Sequence, residues 1–195
     1  MTIKVVTDSD GTVNGTMTGV LQFAIVTKPK PNKFNAGSTE YSVEVESTSD
    51  DDLKQLRSAG AIKKTFRTNE KTGEFYVGPT GKKLISFKSP GNYPDGNPAP
   101  APLVVDATGK RVTAEIANGS EGVVQFVIKK GKNSQFRPST RLVAIKLTKF
   151  IPYERKEKVA PNADLLGLTK DQLEEATKSV DDDLDSTLNT PSILS

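Results

Sequence analysis

Aromatic residues recur beside cations along this chain: Phe34 next to Lys33, Phe66 between Lys64 and Arg67, Phe87 before Lys88, and Phe136 between Lys132 and Arg137. Neighbours of this kind suit the binding of an unpaired polynucleotide: cations track the phosphates, and an aromatic face stacks a base for about 1–3 kcal/mol. Bond-making chemistry has far less to work with. The 195 residues contain no Cys and no His, which removes thiol nucleophiles, disulfides, imidazole bases and thiolate- or His-ligated metals. The acidic run Asp50-Asp51-Asp52 reads as the start of a helix, where carboxylates meet the positive end of the dipole, rather than as a metal triad. Gly78-Pro79-Thr80-Gly81-Lys82-Lys83 resembles a phosphate loop only superficially, because it lacks the full spacing and the terminal Lys-Ser/Thr that opens a helix.

The elements that must position these residues are mostly strands. Residues 123–128 and 142–150 alternate and flank the turn-rich, basic connection 129–141, so they form a hairpin. Val124, Phe126 and Ile128 on one strand, and Val143, Ile145 and Leu147 on the other, are expected in the core. Gln125, Lys146 and Thr148 are expected on a partly solvated face. Residues 19–27 read as a buried strand. Lys28-Pro29-Lys30-Pro31-Asn32-Lys33-Phe34 then reads as a loop, because proline cannot continue a central strand. Residues 39–46 alternate Tyr41, Val43 and Val45 against Ser42, Glu44 and Glu46, a strand with one wet face. Ser49 or Asp50 caps a helix from Asp51 to about Ala59, with Leu53 and Leu56 on one side and Gly60 ending it. Shorter strands are expected at 75–77, 82–89 and 103–106, with a long Pro/Gly/Asn loop over 89–102 that carries Tyr93.

Twelve prolines and fifteen glycines between short apolar runs favour a β domain. No run reaches the roughly 18 apolar residues of a membrane-spanning helix. The start, Met1-Thr2-Ile3-Lys4, does not read as a signal peptide. Charge is split along the chain. Residues 1–158 hold 25 Lys and Arg against 16 Asp and Glu, a net +9, whereas residues 159–195 hold 2 against 8, a net −6. A basic body with an acidic tail points to a polyanionic partner for the body. A short helix is expected over 169–180 with Thr169 as its cap, followed by a disordered acidic end.

The fold expected is mainly β: an OB-like β-barrel with long hairpin loops, one inserted helix, a short C-terminal helix and a disordered acidic tail. Residues 1–17 form an arm or edge strand, 18–158 the barrel, and 159–195 the C-terminal helix and tail. Within residues 18–153, the order of strand, Lys/Pro loop, Tyr41-Ser42-Val43-Glu44-Val45 strand and acidic-capped helix resembles phage single-stranded DNA-binding proteins of the OB-fold type. So do Leu103-Val104-Val105-Asp106, Asn118-Gly119-Ser120 with its apolar strand, and the closing Ile151-Pro152-Tyr153. The resemblance implies a non-enzymatic protein of DNA replication, recombination or repair in the cytoplasm of an infected host cell. It needs no cofactor, coats single-stranded DNA as a possible homo-oligomer, and contacts replication or recombination proteins through its acidic tail. The tail candidates are Asp181, Asp182, Asp183 and Asp185, which suit partner contact or autoinhibition. This chain ends in Ile193-Leu194-Ser195, without the terminal aromatic of the family.

The expected DNA-binding set is Lys28, Lys30, Lys33 and Phe34; Lys63, Lys64, Phe66 and Arg67; Tyr76; Lys82, Lys83 and Lys88; Tyr93; Lys129, Lys130, Lys132, Phe136 and Arg137; and Lys146. Phe87 and Phe126 lie on apolar faces and are expected in the core, whereas for Phe34, Tyr93 and Phe136 a core role and a stacking role both remain open. Two other classes compete. A β-rich virion structural protein would explain the fold but not the charge split. A metal-dependent nuclease would need Glu44, Glu46 and Asp106 to converge.

Overall fold

The computed structural model describes residues 3–32, 35–47, 49–129, 138–154 and 169–172. The chain divides into two compact units, Met1–Glu154 and Arg155–Ser195. The first contains β1 (Ile3–Thr7), β2 (Val13–Pro31), β3 (Thr39–Ser47), α1 (Asp50–Ser58), a 3-10 turn (Lys63–Thr65), β4 (Lys83–Pro90), β5 (Leu103–Val105), β6 (Glu121–Lys129) and β7 (Ser139–Lys149).

Five of these strands close on one another. β2 pairs antiparallel with β3, β3 with β4, and β6 with both β7 and β2; β4 meets β7 in a parallel contact at Lys88 and Arg141. The ring β2-β3-β4-β7-β6 is a closed five-stranded barrel with OB-type connectivity. β1 pairs with β2 and β5 with β7 outside the ring. Alternate residues fill the interior: Val13, Met17 and Leu21 from β2, Val43 and Val45 from β3, Ile85 and Phe87 from β4, Val124, Phe126 and Ile128 from β6. The Phe87 and Phe126 rings stack with centroids 4.7 Å apart. Leu53 and Leu56 of α1 join this core. Ser49 caps the helix by accepting the Asp52 N–H, and Gly60, at φ +90°, takes the left-handed turn after it.

Three local expectations differ from the structure, each for a physical reason. Lys28–Pro31 is strand rather than loop, with Lys30 opposite Glu40 and Pro31 opposite Thr39. β6 covers β2 only as far as Val20, so this end of β2 has one strand neighbour, and proline is tolerated on an edge that need not donate. On β7, Val143 is exposed and Leu142 is buried. The register steps from Gln125 opposite Ala144 to Phe126 opposite Leu142, and this bulge reverses which residues face inward. The outer side of β3 is not wet: Ser42 and Glu46 are both buried. Residues 112–116 contribute only the isolated bridge of Ile116 to Pro152, beside that of Arg111 to Val105.

A second bulge lies in β2. Gln22 faces Glu44 and Ile25 faces Ser42, so Phe23 and Ala24 together oppose Val43. Phe23 adopts φ +47°, a left-handed conformation that costs a non-glycine residue about 1–3 kcal/mol.

In the second unit, Thr169 accepts the Gln172 N–H on its hydroxyl at 3.3 Å, and its own N–H donates to the Gln172 side chain at 3.0 Å. This reciprocal pair is a helix N-cap at the expected residue. The remainder of the helix and the tail lie outside the described residues.

Candidate nucleic-acid interface

The outer wall of β3 carries three carboxylates, and each has a partner. Glu40 accepts from Lys88 at 2.9 Å, and Glu44 from Arg67 Nε at 2.8 Å. Glu46, almost fully buried, accepts from Gln22 Nε2 at 2.7 Å and from the Thr80 hydroxyl. Gly78 lets the 78–81 turn close over Glu46, since a Cβ there would collide with the Glu46 carboxylate. An exposed row of unpaired carboxylates would repel phosphate; this row is neutralised or sheltered.

Arg67 does two things at once. Its side chain reaches Glu44, and its guanidinium lies 5.4 Å from the centroid of the Tyr76 ring. The two residues meet because residues 66–68 and 75–77 form a small hairpin on the edge of β4: Tyr76 N–H donates to Arg67 O at 2.8 Å and Leu84 N–H to Tyr76 O at 2.9 Å. Tyr76 is 47% exposed. Around it opens a cleft of about 510 Å³ lined by Arg67, Thr68, Asn69, Glu70, Lys71 and Tyr76. A cation fixed on a solvent-facing ring, with a second cation at the rim, can accept a base and its phosphate.

The other expected residues fall into distinct places. Lys28 is exposed and Lys30 half-buried on the edge portion of β2. Tyr93, 44% exposed, follows Asn92, whose side-chain oxygen accepts the Thr39 N–H at 2.6 Å; this sets the tyrosine beside the same end of β3. Lys63 and Lys64 are exposed on the 3-10 turn, which is tied to the start of β7 by Ile62 N–H donating to the Thr140 hydroxyl at 3.1 Å. Lys129 sits opposite Ser139 at that same end. Lys82 flanks Lys83, which pairs with Asp50 and lies over the Phe75 ring at 5.2 Å. Lys146 is on another part of the wall, opposite Val123 and beside β5.

Phe66 does not belong to a surface platform. It is only 8% exposed, packs in the core, and is covered by the Arg57 guanidinium at 5.2 Å. Its bridge to Ile85 turns it inward. Lys33, Phe34, Lys130, Lys132, Phe136, Arg137 and the tail carboxylates Asp181, Asp182, Asp183 and Asp185 lie outside the described residues. Two residues were missed from sequence: Arg141, exposed and in register with Lys88 and Val127, and Lys71 at the cleft rim. Strand parity hid Arg141: counted back from Ile145 and Val143 it falls on the inward set, and only the bulge at residues 142–144 turns it outward.

Among the described residues, Lys28, Lys30, Lys63, Lys64, Lys82, Lys129, Arg141 and Lys146 make no ion pair, whereas Arg67, Lys83 and Lys88 do. Uncommitted cations keep their full charge for a phosphate. The carboxylates do not assemble a metal centre, since no group of three candidate ligands forms among the described residues. Asp106 caps its own turn, accepting from the Thr108 hydroxyl at 2.6 Å and the Lys110 N–H at 3.0 Å. The Thr108 hydroxyl holds its carboxyl below the usual carboxylate range.

No family model matches the chain, and no curated protein matches it in sequence. Among solved structures it is similar to a single-stranded DNA-binding protein from bacteriophage Enc34 in complex with ssDNA, at 14% identity and a TM-score of 0.48, over 78% of this chain and 98% of that one. It is similar to the Enc34 protein in a second structure, at 14% identity and a TM-score of 0.46, over 84% and 99%. It is also similar to gp2.5, a single-stranded DNA-binding protein of bacteriophage T7, at 15% identity and a TM-score of 0.41, over 73% and 90%.

Proposed function

We propose that this chain is a non-enzymatic single-stranded DNA-binding protein that coats unpaired DNA without base-sequence readout, in phage DNA replication, recombination or repair within the infected cell. One observation carries the reading: the exposed Tyr76 ring, stacked by an Arg67 that Glu44 holds in place, on the outer wall of a closed barrel. The uncommitted cations around the barrel supply the phosphate contacts. Because Glu40 and Glu44 already hold Lys88 and Arg67, the β3 wall offers no uncommitted cation to a phosphate, and bases rather than phosphates pass over that strand. A mobility-shift comparison of single strands with duplex at two salt concentrations tests the proposal. Single strands bind more tightly, and log affinity falls with log salt by about 0.7 per neutralised phosphate. Equal affinity for duplex, or binding indifferent to salt, defeats it.

The acidic tail, with four carboxylates in residues 181–185, serves as a tethered phosphate mimic that DNA displaces and partner proteins then take up. A tethered segment acts at high effective concentration and is screened by salt. Truncation after Ser179 strengthens binding at low salt, with the gain shrinking as salt rises; identical low-salt affinities remove the autoinhibitory role.

A further inference from the structure

We propose that Phe23 is a second base-stacking residue, presented by the β2 bulge across β3 from the hairpin that carries Tyr76. The proposal rests on the single-stranded DNA reading above. Along β2, Leu21 and Val26 are buried in the core, and Gln22 bonds to Glu46 on the outer wall. The alternation would send Phe23 inward opposite Val43. Instead the extra residue of the bulge lets Ala24 pack on the core, and Phe23 stands 57% exposed at φ +47°.

Folding alone gives no reason for this choice of residue. Glycine or asparagine would make the same left-handed step at lower cost, and an apolar ring gains nothing by facing water. The position is nonetheless held firmly. The Phe23 N–H donates to Asn118 Oδ1 at 2.7 Å, and the adjoining residues lock the same turn: Gly119 N–H donates to Leu21 O at 3.0 Å and Leu21 N–H to Ser120 O at 2.7 Å. A strained aromatic fixed on a strand and aimed at solvent is the arrangement expected of a ligand contact. Its neighbours connect it to the other platform. Gln22 faces Glu44 across the pair of strands, Glu44 holds Arg67, and Arg67 covers Tyr76. A DNA strand crossing β2, β3 and β4 therefore meets Phe23 on one side of the sheltered carboxylate row and Tyr76 on the other.

Two variants of the full chain test this. Phe23→Gly suits the left-handed backbone, so it melts at or above the wild-type temperature while binding oligothymidylate about 5- to 150-fold more weakly. The chain has no Trp, so Phe23→Trp adds a sole indole, whose emission is quenched when saturating oligothymidylate stacks on it. Wild-type affinity in F23G with unquenched F23W overturns the proposal and leaves the DNA-binding reading standing. Unfolding of F23G also overturns it, because the ring is then structural. Absence of any single-strand binding by the wild type removes both.

Discussion

Phe87 lies in β4 and Tyr76 on the hairpin beside it, and both have a cation nearby, yet they occupy opposite environments. Phe87 has no solvent exposure and stacks on Phe126 at 4.7 Å. Its sequence neighbour Lys88 is outside the barrel, on Glu40. Tyr76 is in solvent, under a guanidinium that comes from nine residues earlier, across a hairpin. Successive side chains on a strand point to opposite faces. An aromatic next to a cation in a strand sequence is therefore an aromatic whose cation is on the other side of the sheet. The cations that do lie over a ring come from across a strand or from the helix: Arg67 over Tyr76, Lys83 over Phe75, Arg57 over Phe66.

Two truncations distinguish the buried ring from the exposed one. Phe87→Ala removes half of the stacked core pair and costs about 3–5 kcal/mol of stability, read as a large fall in melting temperature. Tyr76→Ala leaves stability within about 0.5 kcal/mol and weakens single-strand affinity by about 1–3 kcal/mol, read by titration with one oligonucleotide. A stable F87A, or a Y76A that unfolds without a specific loss of binding, reverses the assignment of the two faces.

What was legible in the sequence was whatever depends on local order. The β6–β7 hairpin, the Ser49 cap, the inward Phe87 and Phe126, and the Thr169 cap follow from alternation and capping chemistry. So does the mainly β class, once the short runs are counted between their turns. What was not legible depends on an extra residue or a distant partner. The bulge that turns Val143 outward and Leu142 inward adds one position that alternation cannot anticipate. Pro29 and Pro31 read as loop because their edge position is a property of the closed barrel. Glu46 read as solvated because Gln22, Gly78 and Thr80 come to it from two separate segments. The Arg67–Tyr76 platform was present only as two residues in a longer set, and the pairing of Lys88 with Glu40 was hidden in a charge count.

The cations, like the aromatics, divide into those the fold has engaged and those it leaves to solvent. Lys63 and Lys64 are exposed at the end of the barrel where β7 begins and make no ion pair among the described residues. Replacing both with Ala reduces the magnitude of the log–log salt slope by as much as about 1.4, or about 0.7 for each phosphate no longer neutralised. Stability stays nearly constant, because neither residue supports a buried group. The salt slope of the double variant decides this; an unchanged slope places the DNA elsewhere on the barrel.

The smallest effect belongs to a cation the protein has already claimed. Lys83 bonds to Asp50 at the start of α1 and lies over the Phe75 ring. The hydrogen bond from Lys83, reinforced by its charge, holds the Asp50 carboxyl below the usual carboxylate range. For a carboxylate lowered in the folded state, the contribution to stability is present above the unfolded value of about 3.9. It is lost as pH falls through the lower folded value. The Asp50 side chain is 71% exposed, so the contribution is small and screened by salt. In Lys83→Gln the Asp50 carboxyl titrates closer to its ordinary value, a shift readable by carboxyl NMR titration at low salt. The melting-temperature gap between this variant and wild type narrows as pH drops below about 4. If Asp50 titrates identically in both proteins, the pair does not form in solution, and Lys83 joins the cations available to phosphate.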